Sequence, residues 1–257
     1  MDDVTRPEPA IRLLDLGISF SGRTVFSSVS CEIAKAGPTV IAGRSGCGKT
    51  TLLRTINRLN DGIAGCVVTG EVVAHLGGTG VRVYAGDIPV EELRRRAGMV
   101  FQTPNVLPVS VEKNLLLPLR LACGITGGEA IRRLETALRE AHLWDEVKDR
   151  LRRPAEDLSG GQRQRLCLAR ILALQPDILL LDEPTASLDY KAAGRIEDLI
   201  LELSKKFAVV MVSHSLRQTR RLAARILIFR EEGGLADIPV ETAKNPETFF
   251  QVMEEML

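Results

Sequence analysis

Three short stretches carry residues whose types and spacing imply phosphate chemistry. The first is Gly43-Arg44-Ser45-Gly46-Cys47-Gly48-Lys49-Thr50, which matches the pattern GxxxxGK[ST]. Glycines at those places let successive backbone N–H groups converge on an anion, and the N-terminus of a following helix adds partial positive charge. The pattern assigns Lys49 to the outer phosphates of a nucleotide and the Thr50 hydroxyl to Mg2+, with Thr51 next on the same helix. The second is Ile178-Leu-Leu-Leu-Asp182-Glu183-Pro184, an apolar run ending in two acids. Carboxylates at the end of a buried strand need a partner, because an unpaired buried charge is costly. A metal ion held by Asp182 supplies one, and Glu183 beside it has the chemistry to polarise a water that attacks phosphorus.

The third stretch, Asp157-Leu-Ser159-Gly160-Gly161-Gln162-Arg-Gln-Arg-Leu166, is harder to place. Ser159 and Gln162 have the S-x-x-Q spacing of a helix capping box. A capping box does not need Gly160 and Gly161, which strip the helix start of side chains and leave it open to an anion. This start has no adjoining lysine or metal acid, so the pattern suits a site completed by another surface. Gln102, in MVFQTP, and His214, in VVMVSHS, are polar residues at the ends of apolar runs. His75 and His142 have no motif around them and read as structural.

These residues need a scaffold of strands and helices. IRLLDLGISF (11–20) and TVIAG (39–43) read as strands, and the second runs straight into the phosphate loop. Leu52, Leu53, Ile56 and Leu59 share one face of a helix that Asn60-Asp61-Gly62 is expected to stop. Residues 63–101 read as β-rich with a short helix over Val90–Arg96. Ile131, Leu134, Leu138 and Ala141 predict one buried helical stripe. A helix is expected from Ser159 to about Leu174 and another near 191–206, with buried strands at ILLLDEP and AVVMVSH. Apolar strands alternating with helices mean a mainly parallel α/β sheet covered on both faces. The tail from 231 ends in a helical-looking TFFQVMEEML.

The bulk numbers bound the function class. The 257 residues are 45% hydrophobic, enough for one large domain or a domain with a subdomain. A formal charge of +1 gives no electrostatic case for nucleic acid or an anionic membrane. The five cysteines, Cys31, Cys47, Cys66, Cys123 and Cys167, form no CxxC pair, which fits a reducing compartment. The longest apolar run, Phe207–Val212, is far short of the roughly 20 residues of a membrane helix. MDDVTRPEPA at the N-terminus does not read as a signal peptide. The chain is expected to reach a membrane only through a partner.

With the phosphate loop, the glutamine, LSGGQ, the acidic strand and the histidine in that order, the chain resembles the ATP-binding subunits of ABC transporters over most of residues 11–230. The resemblance implies a P-loop NTPase with a RecA-like core (1–102 and 159–230), antiparallel β elements and an inserted α-helical subdomain (103–158). Together these make one ATPase domain, 1–230, followed by a tail, 231–257. It implies ATP and Mg2+ as cofactors, and it answers the puzzle of LSGGQ. Two copies, or two homologous ATPase subunits, pack head to tail, and Ser159, Gly160, Gly161 and Gln162 hold the ATP bound to the partner's phosphate loop. By the same resemblance Gln102 senses Mg2+ and the γ-phosphate, His214 contacts the γ-phosphate, and Asp189 couples the two sites. Phe20 stands where the family usually has a tyrosine that stacks on adenine.

Some segments resemble more narrowly the ATP-binding subunits of bacterial phosphate importers: Asn57 after LLRTI, the PN-x-x-P-x-S segment at 104–110, and WDEVKDRL at 144–151. Arg44, Leu107, Tyr190 and the stretch 72–84 depart from that pattern. The resemblance implies a motor for inorganic phosphate import, peripheral on the cytoplasmic face of the inner membrane. Its partners there are two transmembrane permease subunits, docked near residues 99–115, with a periplasmic solute-binding protein acting indirectly. An importer ATPase for another solute is the alternative. A soluble ABC ATPase acting on DNA or ribosomes fits less well, because no long coiled coil separates the phosphate loop from LSGGQ. A small-molecule kinase would leave LSGGQ and His214 idle.

Overall fold

The computed structural model describes residues 8–230, 234–245 and 247–249. The chain opens with β1 (Ile11–Phe20), β2 (Arg23–Ile33) and β3 (Pro38–Ala42), followed by α1 (Lys49–Ile56). Then come β4 (Cys66–Leu76), β5 (Thr79–Arg82), α2 (Val90–Arg96) and β6 (Ala97–Val100). A helical stretch follows: α3 (Val111–Cys123), α4 (Gly127–Glu140), α5 (Trp144–Val147) and α6 (Gly160–Leu172). The last part runs β7 (Ile178–Asp182), α7 (Tyr190–Leu203), β8 (Ala208–Val212), α8 (Leu216–Leu222), β9 (Arg225–Phe229), β10 (Leu235–Ile238) and α9 (Val240–Lys244).

Two sheets form among the described residues. One has the order β2-β1-β4-β5 and its pairs are antiparallel. The other has the order β10-β9-β3-β8-β7-β6, parallel except for β10. Every residue of β3, β7 and β8 is buried, as expected of strands covered on both faces. Their alternate side chains feed two cores. Leu179, Leu181, Val209 and Met211 pack with α3, α4, α6 and α7. Ile178, Leu180, Val210 and Val212 pack with Leu52, Leu53 and Ile56 of α1 and with the antiparallel sheet. The period of two in a strand thus splits one apolar run between two layers.

Two details differ from the sequence expectation. The helix after the phosphate loop closes at Ile56, and Leu59 falls in a 3-10 turn, Leu59–Gly62, instead of on the helix. Asn60 lies in that turn, past the end of the helix. It is buried, and its Nδ2 donates to Thr51 O at 2.9 Å and to Thr55 Oγ1 at 2.8 Å. In α4 the buried stripe is Ala130, Leu134, Ala137 and Leu138, continued by Ala141, while Ile131 is 53% exposed. At about 100° per residue, Ala130, Leu134, Ala137 and Ala141 centre the stripe and Ile131 falls on its edge. Most of the helix expected over 248–257 lies outside the described residues.

Candidate active site

Parallel strands present their carboxyl ends on one edge of the sheet, and the loops leaving β3, β6, β7 and β8 carry the site residues expected from the sequence there. The loop after β3 reaches α1 through three glycines in the left-handed region, Gly43 (φ 151°), Gly46 (φ 83°) and Gly48 (φ 105°). Gly48 is the N-cap of α1. A Cβ there would lie 2.9 Å from Val25 Cγ1 and 3.1 Å from Phe26 Cδ1, so the antiparallel sheet presses directly on the loop. Only glycine meets both demands. Lys49 is buried, and its Nζ donates to Gly43 O at 2.8 Å and Arg44 O at 2.6 Å. The loop's own carbonyls thus hold the ammonium inside the ring of the loop. Cys47 Sγ stands 3.8 Å from the same Nζ. Arg44 and Ser45 are exposed at the loop's rim.

Thr50 lies in the first turn of α1, and its Oγ1 donates to Asp182 Oδ1 at 2.9 Å. Asp182 is the last residue of β7 and is 5% exposed. Burial pushes its carboxyl above the usual aspartate range, and the Thr50 hydrogen bond and nearby Arg54 work against that shift. A buried carboxylate and a hydroxyl are hard oxygen donors, the set suited to Mg2+, which takes few protein ligands and completes its shell with phosphate oxygens and water. Among the described residues no group of three or more His, Cys, Asp or Glu forms a metal cage.

Glu183 follows at φ 45°, a left-handed backbone that a glutamate adopts only at a cost of about 1–2 kcal/mol. Its N–H still donates to Val212 O at 3.1 Å, which extends the β7–β8 ladder by one step. The unusual φ turns its carboxylate towards the loop after β8, where Oε2 stands 2.6 Å from His214 Nδ1. Strain of this kind persists where the surrounding structure over-determines it, and it concentrates at functional sites. Glu183 and His214 line a cavity of about 230 Å³ together with Thr185, Leu188, Tyr190 and Ser213. Gln102 is exposed, two residues beyond the end of β6. Phe20 ends β1, partly buried against the core beneath the antiparallel sheet.

LSGGQ occupies a different place. Ser159 caps α6 in a full capping box: its hydroxyl accepts from Gln162 N at 3.3 Å, and its own N–H donates to Gln162 Oε1 at 3.0 Å. Gly161 is pressed close, since a Cβ there would lie 3.0 Å from Ala192 Cβ of α7. Asp189 caps α7 by accepting from Lys191 N at 3.0 Å and Ala192 N at 2.9 Å. Ser159, Gly161, Gln162 and Asp189 line one groove of about 250 Å³, distinct from the cavity beside Glu183. Lys49, Thr50, Asp182, Glu183 and His214 therefore come together within the chain, while the LSGGQ corner and Asp189 form a second cluster.

Three residues the sequence reading passed over support this second cluster. Glu146 of α5 accepts from Gln162 Nε2 at 2.7 Å and from Arg165 Nη1 at 2.8 Å, and the Arg165 guanidinium holds its carboxyl below the usual glutamate range. Arg165 itself is buried and also donates to His142 O. Gln164, fully buried, donates from Nε2 to Phe101 O at 3.2 Å, which ties α6 to the residue before Gln102. Glu146 lies in the WDEVKDRL run, but only folding places it under Gln162. Nothing in the local pattern marks Gln164 as buried.

Comparison with known proteins places this geometry in context. The model of the ABC transporter family matches residues 26–186. The phosphate import ATP-binding protein PstB 1 of Synechococcus sp. (strain JA-3-3Ab) is 44% identical over 230 residues, 89% of this chain and 81% of that protein. The PstB 1 of Vibrio parahaemolyticus is 45% identical over 222 residues, 86% of this chain and 80% of its own. The ATP-binding cassette MJ0796, a dimer in a post-hydrolysis state with ADP and Pi, superposes with a TM-score of 0.72 at 28% identity, covering 90% of this chain and 98% of that one. CbiO1 of Clostridium perfringens, part of the transporter complex cbiONQ, shares the fold with a TM-score of 0.77 at 23% identity, covering 95% and 94%.

Proposed function

This chain belongs to the ABC transporter family, and we propose that it is the ATP-hydrolysing motor of an importer for inorganic phosphate. The observation that carries the chemistry is the row Thr50–Asp182–Glu183–His214 at the edge of the parallel sheet, with Thr50 2.9 Å from Asp182 and Glu183 2.6 Å from His214. The two PstB 1 relatives support phosphate as the cargo.

ATP lies with its phosphates in the loop Gly43–Thr51, where Lys49 neutralises the outer phosphates and Phe20 packs against adenine. Thr50 and Asp182 would hold Mg2+, with Gln102 as a further oxygen donor, and the ion would supply Lewis-acid polarisation of the phosphates. Glu183 accepts a proton from the attacking water as its oxygen bonds to the γ-phosphorus. The bond from that phosphorus to the bridging oxygen of ADP breaks, and phosphate leaves. His214 anchors Glu183 and meets the γ-phosphate from the end of β8.

The second cluster serves the partner's ATP: Ser159, Gly160, Gly161 and Gln162 close over it, and Asp189 couples the two sites. The dimeric state of MJ0796 supports this arrangement. A two-fold pair holds two composite sites. In this reading the helical segment 103–158 moves with Gln102 on closure and transmits that motion to two transmembrane permease subunits. In this reading the chain works as a peripheral subunit on the cytoplasmic face of the inner membrane; no helix among the described residues is long and apolar enough to cross a membrane. A periplasmic binding protein delivers the solute to the permease.

The test is phosphate uptake by cells carrying Lys49→Ala or Glu183→Gln, with the permease intact and phosphate scarce. Loss of phosphate uptake with other solutes still imported is the expected result. Unchanged phosphate uptake with loss of a different import would overturn the cargo and leave the motor standing.

A further inference from the structure

We infer that Gln218 is a positioning residue for the Glu183–His214 pair, an amide strap that sets the spacing of the two loops carrying them. The inference rests on the ATPase reading above and goes beyond it, because that reading gives Gln218 no part. β7 and β8 are paired up to Asp182–Val212, and the ladder ends with the bond from Glu183 N to Val212 O. Beyond it the two loops part: Ser213 N donates to Ile41 O of β3 instead, and Ala186 N turns back to Glu183 O. Backbone pairing therefore does not set how far His214 stands from Glu183.

The side chain of Gln218, in the first turn of α8, spans the gap. Its Oε1 accepts from Ser213 Oγ at 2.7 Å, and its Nε2 donates to Thr185 Oγ1 at 2.6 Å. Ser213 immediately precedes His214, and Thr185 lies two residues after Glu183. The strap is well sheltered: Gln218 is 3% exposed and Ser213 2%. It is also rigidly mounted, since Gln218 N donates to Ser215 Oγ at 3.3 Å and Ser215 N to Ser213 Oγ at 3.1 Å. Buried hydrogen bonds of this kind carry a large penalty when one partner is removed, so the loops are held at one separation. Glu183 sits in a left-handed conformation that its own chain disfavours, which gives an external restraint something to hold.

The test is single-turnover and steady-state ATP hydrolysis by the full purified chain, with Glu183→Gln as the inactive control. Gln218→Met keeps the volume and removes both hydrogen bonds. It is expected to lower kcat by roughly 10–100-fold, the scale of a misplacement of about 1 Å at a catalytic group, with KM for ATP unchanged. Gln218→Glu can accept from both hydroxyls and is expected to recover most of kcat. Thr185→Val, which cuts one arm, is expected to fall between wild type and Gln218→Met. In a His214→Ala background Gln218→Met is expected to add nothing, because the pair it spaces is gone. Full activity of Gln218→Met, or a loss additive with His214→Ala, would overturn the strap while leaving the ATPase reading intact. A wild-type chain that does not hydrolyse ATP would overturn both.

Discussion

Gly46 and Gly48 occupy the same loop, both with positive φ, and differ in what surrounds them. Gly46 has φ 83° and open space where a Cβ would stand. Gly48 has φ 105°, with Val25 Cγ1 at 2.9 Å and Phe26 Cδ1 at 3.1 Å from that position. Alanine at Gly46 incurs only the left-handed backbone term, roughly 1–2 kcal/mol. Alanine at Gly48 incurs the same term plus overpacking against a β-branched valine and the buried Phe26, roughly 1–3 kcal/mol more. Neither neighbour yields cheaply: Val25 has a stiff χ1, and the Phe26 ring stacks edge-on with Phe229 at 5.4 Å between centroids. The expected destabilisation is therefore ~1–2 kcal/mol for Gly46→Ala and ~2–5 kcal/mol for Gly48→Ala. Urea unfolding of both variants and wild type, followed by far-UV circular dichroism at matched m-values, measures the difference. Equal midpoints for the two variants would refute the claim that the antiparallel sheet bears on the phosphate loop. If the sheet does bear on it, Val25→Ala should narrow the gap between them, since it removes the atom that Gly48→Ala meets first.

The other expectations are briefer. Glu183→Gln should slow ATP hydrolysis by roughly 10²–10⁴-fold, the scale of general-base assistance, while equilibrium titration with a fluorescent ATP analogue shows binding retained. Glu146 has a depressed carboxyl pKa, so the stability it contributes is present above the ordinary glutamate range and lost as pH falls through the depressed value. Melting temperature against pH should therefore fall more steeply on the acid side for wild type than for Glu146→Gln, and parallel curves would remove Glu146 from the cap network. In α4, Leu134→Ala should cost about 2–5 kcal/mol in chemical unfolding, and Ile131→Ser should stay within about 0.5 kcal/mol.

Much of the scaffold is legible in the chain because its signals are local. Glycine spacing, a run such as ILLLD and the S-x-x-Q cap each act within a few residues, so the phosphate loop, β7 and the start of α6 can be read directly. The helix Val90–Arg96 falls where its acidic first turn and basic last turn place it. Leu59 and Ile131 misled because apolar periodicity reports what a helix could bury, and the neighbours decide what it does bury. Asn60 is a turn residue as the sequence suggests, and its burial, which the sequence does not show, is satisfied because Thr51 and Thr55 offer it two acceptors.

For the site, the sequence alone determined the donors: which carboxylates, hydroxyls and glycines the chain owns, and that the loop of Lys49 precedes a helix. Tertiary structure decided the pairings. Thr50 meets Asp182 across 132 positions of sequence, and Gln218 joins Thr185 across 33. Neither separation carries any local signal, because each contact exists only once α1 lies beside β7 and α8 beside the loop after it. The separation of the LSGGQ corner from the phosphate loop is also a tertiary fact. Ser159 is anchored through Gln162 and Glu146 to the helical stretch, while Lys49 is anchored to the carbonyls of its own loop, and packing fixes those two frames in different places.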